Sequence, residues 1–403
     1  MSDNNLANQE ESLMQTYQRF PLTVEKGKGS YLWDDRGKKY LDFTSGIATC
    51  NLGHVPDVVK SQIIAQIEEL WHCSNLFHIP AQQKLAQLLT TYSFGDQVFF
   101  CNSGAEANEA AIKLARKYAK KVKETHAYEV VTFSQSFHGR TLATLSATGQ
   151  NHVKEDYAPL ASGFRHLPYN DFEALNNLVT PDTCAVLVEV VQGEGGVIPA
   201  DQSWLKQLAA ICKENNLLLI FDEVQTGMGR TGTLFAYEQY GVTPDVMTLA
   251  KGLGSGIPVG AVIATEEVAK AFGPGTHGTT FGGNPIACTA GIATLNYMIE
   301  NDVCSTTTEL GEYLSQQLQQ LKEQCPVIEK VQGKGLLQGM ALKIPAKDIV
   351  NKARGQGVLL LTAGSHVLRV LPPLTTTYEE IDEFISKLYS VLFQVETERG
   401  TLR

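Results

Sequence analysis

Two short apolar runs constrain this chain more than anything else in it, because each leads into a residue that does not suit a core. Leu217–Phe221 (LLLIF) runs into Asp222, and Val246–Ala250 (VMTLA) runs into Lys251. Gly-rich polar segments follow both. Runs this short, ended this way, read as buried strands whose C-terminal ends face a site. A carboxylate behind an apolar strand is costly unless it finds a partner. An ammonium in the same setting has its pKa pulled down. Each residue also has a structural reading: Asp222 can cap the next turn, and Lys251 can snorkel from a strand end.

The rest of the chain supplies a frame for the pair. VFF, EVVTF, AVLVEVV, LLLIF and VMTLA read as strands, and ANEAAIKLARKYAKK and SWLKQLAAICKENN as helices between them. Strands alternating with helices predict a mostly parallel α/β sheet with ligands at the strand C-terminal ends. Ahead of it, residues 1–20 read as an arm followed by a short helix. VEKGKGSYLWDDRGKKYLDF then reads as an antiparallel meander with turns at Lys28-Gly29 and Asp35-Arg36-Gly37. VPDVVKSQIIAQIEELWH and AQQKLAQLLTTYS carry helical spacing. From NPIACTAGIATLNYMIEN onward the pattern becomes two helices, several strands and a terminal helix, a smaller α+β domain. The expected division is an N-terminal arm and meander over 1–50, packing with the small domain; a large cofactor-binding domain over 51–284; and a small domain over 285–403.

A carboxylate at one strand end and an amine just past the next is the arrangement that holds pyridoxal phosphate (PLP). The amine forms a Schiff base with the aldehyde, and the carboxylate keeps the ring nitrogen protonated so that the ring accepts electrons. Other strand ends carry matching groups. Asn102-Ser103-Gly104-Ala105-Glu106 opens a helix, so it is either a phosphate cradle of backbone N–H groups or an ordinary capped turn. Phe137 can stack on a planar ring and Arg140 can clamp a carboxylate; alternatively they are a core aromatic and a surface cation. Glu194, in QGEGG, is by itself a solvated turn. Beside two substrate-binding arginines it can hold one of them when no carboxylate is bound. Gln225 can donate to a ring hydroxyl. Arg369, within the apolar HVLRVLPPL, needs an anionic partner, either a substrate carboxylate or a structural acid. Gly273-Pro-Gly275-Thr-His-Gly278 fits GxGxxG, but no strand precedes it and no helix opens after it, so it is not a dinucleotide fingerprint. Thr279 and Thr280 behind it can donate hydroxyls to a phosphate.

Bulk properties exclude several classes. The 403-residue chain has a formal net charge of −10, which argues against nucleic-acid and acidic-membrane partners. No apolar run approaches the roughly 20 residues that a membrane helix needs. The start, MSDNNLANQEESLMQ, lacks the basic and apolar regions of a signal peptide, so a cytoplasmic protein is expected. The eight Cys are scattered without a CxxC pair, which predicts reduced thiols and no metal site.

Taken in order, NSGAEANEAAIKLAR, FHGRT, QGEGG, DEVQTGMGRTG, LAKGLGSGIPVGA and GTHGTTFGGNP resemble the fold-type I PLP-dependent transferases. Among these they are similar to the class III (ω-amino) aminotransferases. The resemblance runs from YLWDDRGKKYLDFTSGIA to LRVLPPL, and NSGAEAN and THGTTFGGNP are similar to the versions found in acetylornithine aminotransferases of arginine biosynthesis. It implies a mostly parallel large-domain sheet with helices on both faces plus a smaller α+β domain. It also implies a homodimer with shared active sites and ping-pong transfer of the δ-amino group between N2-acetyl-L-ornithine and 2-oxoglutarate. Lys251 and Asp222 would be catalytic. Ser103, Gly104, Ala105, Phe137, Glu223, Val224, Gln225 and the partner subunit's Thr280 would complete the cofactor contacts. Arg140, Glu194, Thr279 and Arg369 would serve the substrate, with Glu194 as the switch acid. Two departures stand out. Val190 occupies a position where the family usually has Pro. Ile47 lies where ornithine δ-aminotransferases carry Tyr, which argues against free ornithine. The alternatives are a 4-aminobutyrate, ornithine, succinylornithine or N-succinyl-diaminopimelate aminotransferase, a racemase or mutase on the same fold, and a non-catalytic PLP-binding regulator.

Overall fold

The computed structural model describes residues 12–399. No helix forms over residues 12–20, in contrast to expectation, and the remainder of the expected arm lies outside the described residues. The meander forms as β1 (Val24–Lys28), β2 (Tyr31–Asp34) and β3 (Lys39–Asp42), antiparallel in turn.

A seven-stranded sheet positions the site. Its strands are β4 (Gln97–Cys101), β5 (Glu129–Phe133), β6 (Phe164–Leu167), β7 (Thr183–Val188), β10 (Leu218–Asp222), β11 (Val246–Leu249) and β12 (Gly260–Ala264), in the order β4-β12-β11-β10-β7-β5-β6. A two-stranded ribbon, β8 (Val191–Gln192) with β9 (Ile198–Pro199), lies between β7 and β10 in the chain. Six strands of the large sheet run parallel to one another, and β12 runs antiparallel to both of its neighbours. Neither β6 nor β12 is foreseen from the sequence. GAVIA in β12 follows a Gly-rich loop with no intervening helix, so it breaks the strand–helix alternation on which the reading relied.

The central strands are largely apolar because both faces are covered, with buried Thr132 and Thr248 among the exceptions. Val130, Ala185, Leu187, Ile220 and Val246 face the Gly104–Lys121 helix. Val131, Val186, Val188, Leu219 and Phe221 face Trp204, Leu205 and Leu208 of the Gln202–Glu214 helix. Strand alternation therefore fixes which side chains at the strand ends face which way.

The C-terminal part holds the helices Pro285–Glu300, Val303–Gln324, Ala346–Gly355 and Tyr378–Arg399. Its sheet is β13 (Ile328–Lys334), β14 (Leu337–Leu342), β16 (Leu361–Thr362) and β17 (Val367–Val370), in the order β13-β14-β17-β16. GVLLLTAG splits into two strands. Its first piece, β15 (Val358–Leu359), adds in parallel to β3 of the meander. Ala346–Gly355 is a further helix the sequence reading passed over, although Ile349, Val350 and Ala353 have helical spacing and are buried.

Arg230 ties these parts together. It is fully buried, and its Nη2 donates to Asn51 Oδ1 at 2.8 Å. Its Nη1 donates to Leu336 O and Pro372 O, one on the β13–β14 turn and one after β17. Burial pulls its pKa down to about 9. Arg230→Ala leaves two carbonyls and an amide oxygen without donors inside a cavity, and is expected to cost about 3 kcal/mol of stability. Urea unfolding checks this; a loss below about 1 kcal/mol contradicts the assignment.

Candidate active site

The C-terminal ends of β4, β7, β10 and β11 open onto one cavity of about 380 Å³. One wall is the start of the Gly104–Lys121 helix. Ser103 caps it, accepting from Glu106 N at 3.2 Å, and Glu106 reaches back to Asn102 N at 2.6 Å. First-turn N–H groups have no partner within a helix and carry partial positive charge. Gly104 is required here, since a Cβ would meet Val224 Cγ1 at 2.7 Å.

Asp222 ends β10 and lies buried at the floor. Its Oδ2 meets Asn108 Nδ2 at 2.8 Å and His138 Nδ1 at 2.8 Å, and its Oδ1 accepts from Val224 N at 3.1 Å. Lys251 follows β11 in the left-handed backbone region, at φ 44, which is sparsely used by residues with side chains. Among the described residues its ammonium makes no ion pair. Burial pulls its pKa below the usual range and Arg369 adds to this, against the opposing charges of Glu194, Asp222 and Glu189. An amine so placed is readier to lose its proton.

Phe137 is half-buried at the cavity, with the Arg140 guanidinium 5.5 Å from its ring centroid. Across from them Arg369 Nη1 donates to Glu194 Oε1 (2.5 Å), Gly193 O (3.0 Å) and Gln225 Oε1 (3.3 Å). Arg369 is only 2% exposed, and its Nε has no partner among the described residues. Burial would raise the Glu194 pKa, but the Arg369 charge and hydrogen bond outweigh it and hold the carboxyl below its ordinary value. Glu194 lines the cavity and Arg369 does not, so the acid stands between the cation and the open space.

The structure brings Ser103, Gly104, Ala105, Phe137, Arg140, Glu194, Asp222, Val224, Gln225 and Lys251 to this one cavity. Glu223 is turned away, because neighbours on a strand point to opposite faces. Its carboxylate takes Ala236 N (2.7 Å), Tyr237 N (2.8 Å) and Thr226 Oγ1 (3.2 Å), and burial pushes its pKa up to about 7. Thr279 and Thr280 line a separate cleft with Phe99, Glu109 and His277. Ile47 lies 42% exposed at another cavity, beside Thr44 and Leu361. Val190 is buried, its carbonyl accepting from Ala200 N and Tyr240 Oη.

Sequence reasoning missed Asn108, His138 and Glu189. His138 and Glu189 lie within motifs that were singled out, one residue past Phe137 and just ahead of QGEGG. Glu189 accepts from Phe137 N (2.8 Å) and Gly193 N (3.1 Å), and burial raises its pKa.

A family model described as class III aminotransferase matches residues 13–392. The chain belongs to this family. Among relatives of this class III aminotransferase, the acetylornithine aminotransferase of Oceanobacillus iheyensis is 56% identical over 384 residues, 95% of this chain and 96% of that one. A solved ornithine aminotransferase from Toxoplasma gondii, with PLP at partial occupancy in its active site, superposes with a TM-score of 0.95 at 32% identity, covering 99% of this chain and 96% of that one. The N-acetylornithine aminotransferase of Stenotrophomonas maltophilia superposes at 0.83 with 35% identity, covering 95% and 98%. The class III fold is thus the mostly parallel sheet with helices on both faces, plus the C-terminal α+β part. Chemically, its cavity offers a cationic helix end, an anionic floor, a free amine and a guanidinium paired with a carboxylate. Among the described residues no cluster of His, Cys, Asp or Glu is placed to hold a metal ion, and no helix is long and apolar enough to cross a membrane.

Proposed function

We propose that this chain is a PLP-dependent transaminase that moves the δ-amino group between N2-acetyl-L-ornithine and 2-oxoglutarate, giving N-acetyl-L-glutamate 5-semialdehyde and L-glutamate. The observation that carries the reading is the convergence, on one cavity, of the unpaired Lys251 amine, the Asp222 carboxylate and the Gly104–Ala105 helix end. The donor set fits PLP: an anion acceptor for the phosphate, a carboxylate for a ring N–H, and an amine for an aldehyde. When bound, PLP supplies an electron sink for the bond-breaking at the substrate carbon.

The chain's own groups divide the remaining work. Gly104 and Ala105 N–H groups hold the phosphate. The Phe137 ring would lie against the pyridine face, and Gln225 would reach the ring oxygen. Asp222 keeps the ring nitrogen protonated. Lys251 Nζ, readied by burial, would hold the cofactor aldehyde carbon and, once the donor amine has displaced it, would carry the proton at the substrate carbon that bears the amine. Arg140 contacts the substrate, and Thr279, which lies outside this chain's own cavity, would reach substrate only across the dimer. Glu194 covers Arg369 while a neutral end of the donor is bound, and yields it to the α-carboxylate of 2-oxoglutarate. Glu223 has no ligand role in this scheme; it fastens the Ala236–Tyr237 backbone.

The reading includes a homodimer, with the partner subunit's Thr280 completing the phosphate site. Large exposed apolar side chains support it: Trp71, Leu76 (90% exposed), Phe77 and, beside the threonines, Phe281. It also includes a cytoplasmic setting, in keeping with all eight cysteines being free. Of the expected division 1–50, 51–284 and 285–403, we place the second boundary after Glu300 instead, since Pro285–Glu300 packs on the Asp57–Glu69 and Pro80–Thr91 helices.

A donor panel with 2-oxoglutarate tests the reading. Acetylornithine is expected to exceed ornithine and 4-aminobutyrate in kcat/KM by at least about tenfold. Equal or better turnover of either rival assigns the enzyme to that donor. Turnover without 2-oxoglutarate points to a mutase or racemase, and absence of turnover with bound PLP points to a regulator.

A further inference from the structure

The floor of the cavity contains a polar chain that none of the roles above uses. Asn108 is 1% exposed and sits on the Gly104–Lys121 helix, four residues beyond Gly104 and so one turn further along the same face. Its Nδ2 donates to both His138 O and Asp222 Oδ2, each at 2.8 Å. Its Oδ1 accepts from Thr248 Oγ1 at 2.8 Å. Thr248 is fully buried on β11, directly across from Asp222 in the parallel register. These partners fix the amide orientation. A flipped amide would set its oxygen against a carbonyl and a carboxylate, neither of which can donate to it.

The consequence follows from counting acceptor sites on Asp222. A carboxylate oxygen has two lone-pair directions. Oδ2 meets Asn108 and His138 and is filled; Oδ1 takes only Val224 N. One acceptor direction therefore remains, and it is on Oδ1.

We propose that Asn108 is the positioning residue that ties the phosphate-binding helix end to Asp222, so that Oδ1 alone is presented to the ring nitrogen at a fixed distance from the phosphate cradle. This rests on the PLP reading. One side chain is bonded to the floor carboxylate while the helix that carries it forms the cradle, so the two anchoring points of the cofactor share a single rigid link. Thr248 holds that link in its working orientation. Without Asn108, Oδ2 keeps only His138, the carboxylate can rotate, and the helix end loses its bond to the floor. The contact damaged is then the one to the ring nitrogen rather than the one to the phosphate, whose donors are backbone groups.

The test compares binding of PLP with binding of its 1-deaza analogue, which keeps the phosphate and aldehyde but has carbon in place of the ring nitrogen. Apoenzyme is titrated with each, followed by absorbance and by the shift in Tm. Asn108→Ala is expected to weaken PLP by at least about tenfold and the analogue by less than about threefold. Thr248→Val, which keeps side-chain shape and removes only the hydroxyl that pins the amide, is expected to show the same selectivity with a smaller loss. It serves alone if Asn108→Ala fails to fold. Equal weakening of both ligands assigns Asn108 a purely structural role and overturns the proposal, as does no weakening of either. A wild-type apoenzyme that binds neither ligand brings down the PLP reading itself, and the inference with it.

Discussion

Lys251→Ala is expected to lower kcat with acetylornithine and 2-oxoglutarate by at least about 10,000-fold, because one side chain performs two tasks. In the proposed scheme it holds the cofactor and carries the proton at the reacting carbon. No other Lys among the described residues lines the cavity. Lys113, Lys123 and Lys154 point elsewhere, to His277, Glu267 and Ser146. Arg369 is engaged by Glu194 and cannot act as a base. Binding of PLP should persist in the variant, since the Gly104–Ala105 helix end and Asp222 are untouched; it should become reversible on dialysis. Steady-state rates combined with cofactor retention after dialysis check this. Activity within about tenfold of wild type, or cofactor held as firmly as before, would remove Lys251 from the centre of the mechanism. Lys251→Arg serves as the charge-preserving control. It keeps a cation near Glu194 and supplies no usable base, so it should be as inactive as the Ala variant.

Asp222 and Lys251 were legible in the sequence because the chemistry that makes them useful also makes them conspicuous: charge at the end of an unbroken apolar run is rare without a partner. Most of the sheet was legible for a similar reason, since strands covered on both faces have few polar positions to blur them. Asn108 was not legible. An Asn inside ANEAAIKLARKYAKK looks like filler, and its role arises only when β11 places Thr248 opposite Asp222, a register no periodicity reveals. Glu223 was misjudged by the opposite error. The resemblance placed it among the cofactor contacts, whereas strand alternation, read strictly, would have sent it to the other face. Thr279 and Thr280 line a cleft apart from the Lys251 cavity, a placement that two hydroxyls behind a Gly-rich loop do not signal in the sequence. The antiparallel β12 shows the limit of alternation as a guide to topology. A strand that follows a loop instead of a helix gives the same local signal but enters the sheet in the reverse direction.

Arg369→Ala is expected to divide the two halves of the reaction. The guanidinium is buried within β17, opposite Gly339, and its Nη1 makes all three of its recorded hydrogen bonds, to Glu194, Gly193 and Gln225. Nε is left without a partner among the described residues, so one edge of the fork is free for a carboxylate once Glu194 moves aside. Loss of a buried, two-point charge pair costs about 4 kcal/mol. kcat/KM for 2-oxoglutarate should therefore fall by about 1,000-fold. The half-reaction with acetylornithine alone, followed at the cofactor absorbance, should change by less than about tenfold, because Glu194 screens Arg369 from that substrate. The sign of the pH effect follows from the same charges. Arg369 helps to lower the Lys251 pKa, and its removal leaves Glu194 free to raise it. The acidic limb of the kcat/KM profile for 2-oxoglutarate, which meets the enzyme form whose Lys251 is a free amine, should then move to higher pH in Arg369→Ala. It should move to lower pH in Glu194→Gln, which deletes the opposing charge. Arg369→Lys keeps the charge and loses the fork, so it should restore the pH profile while recovering only part of the 2-oxoglutarate affinity. Equal losses in both half-reactions, with no displacement of the pH profile, would show that Arg369 only braces β17 and that Glu194 is not its gate.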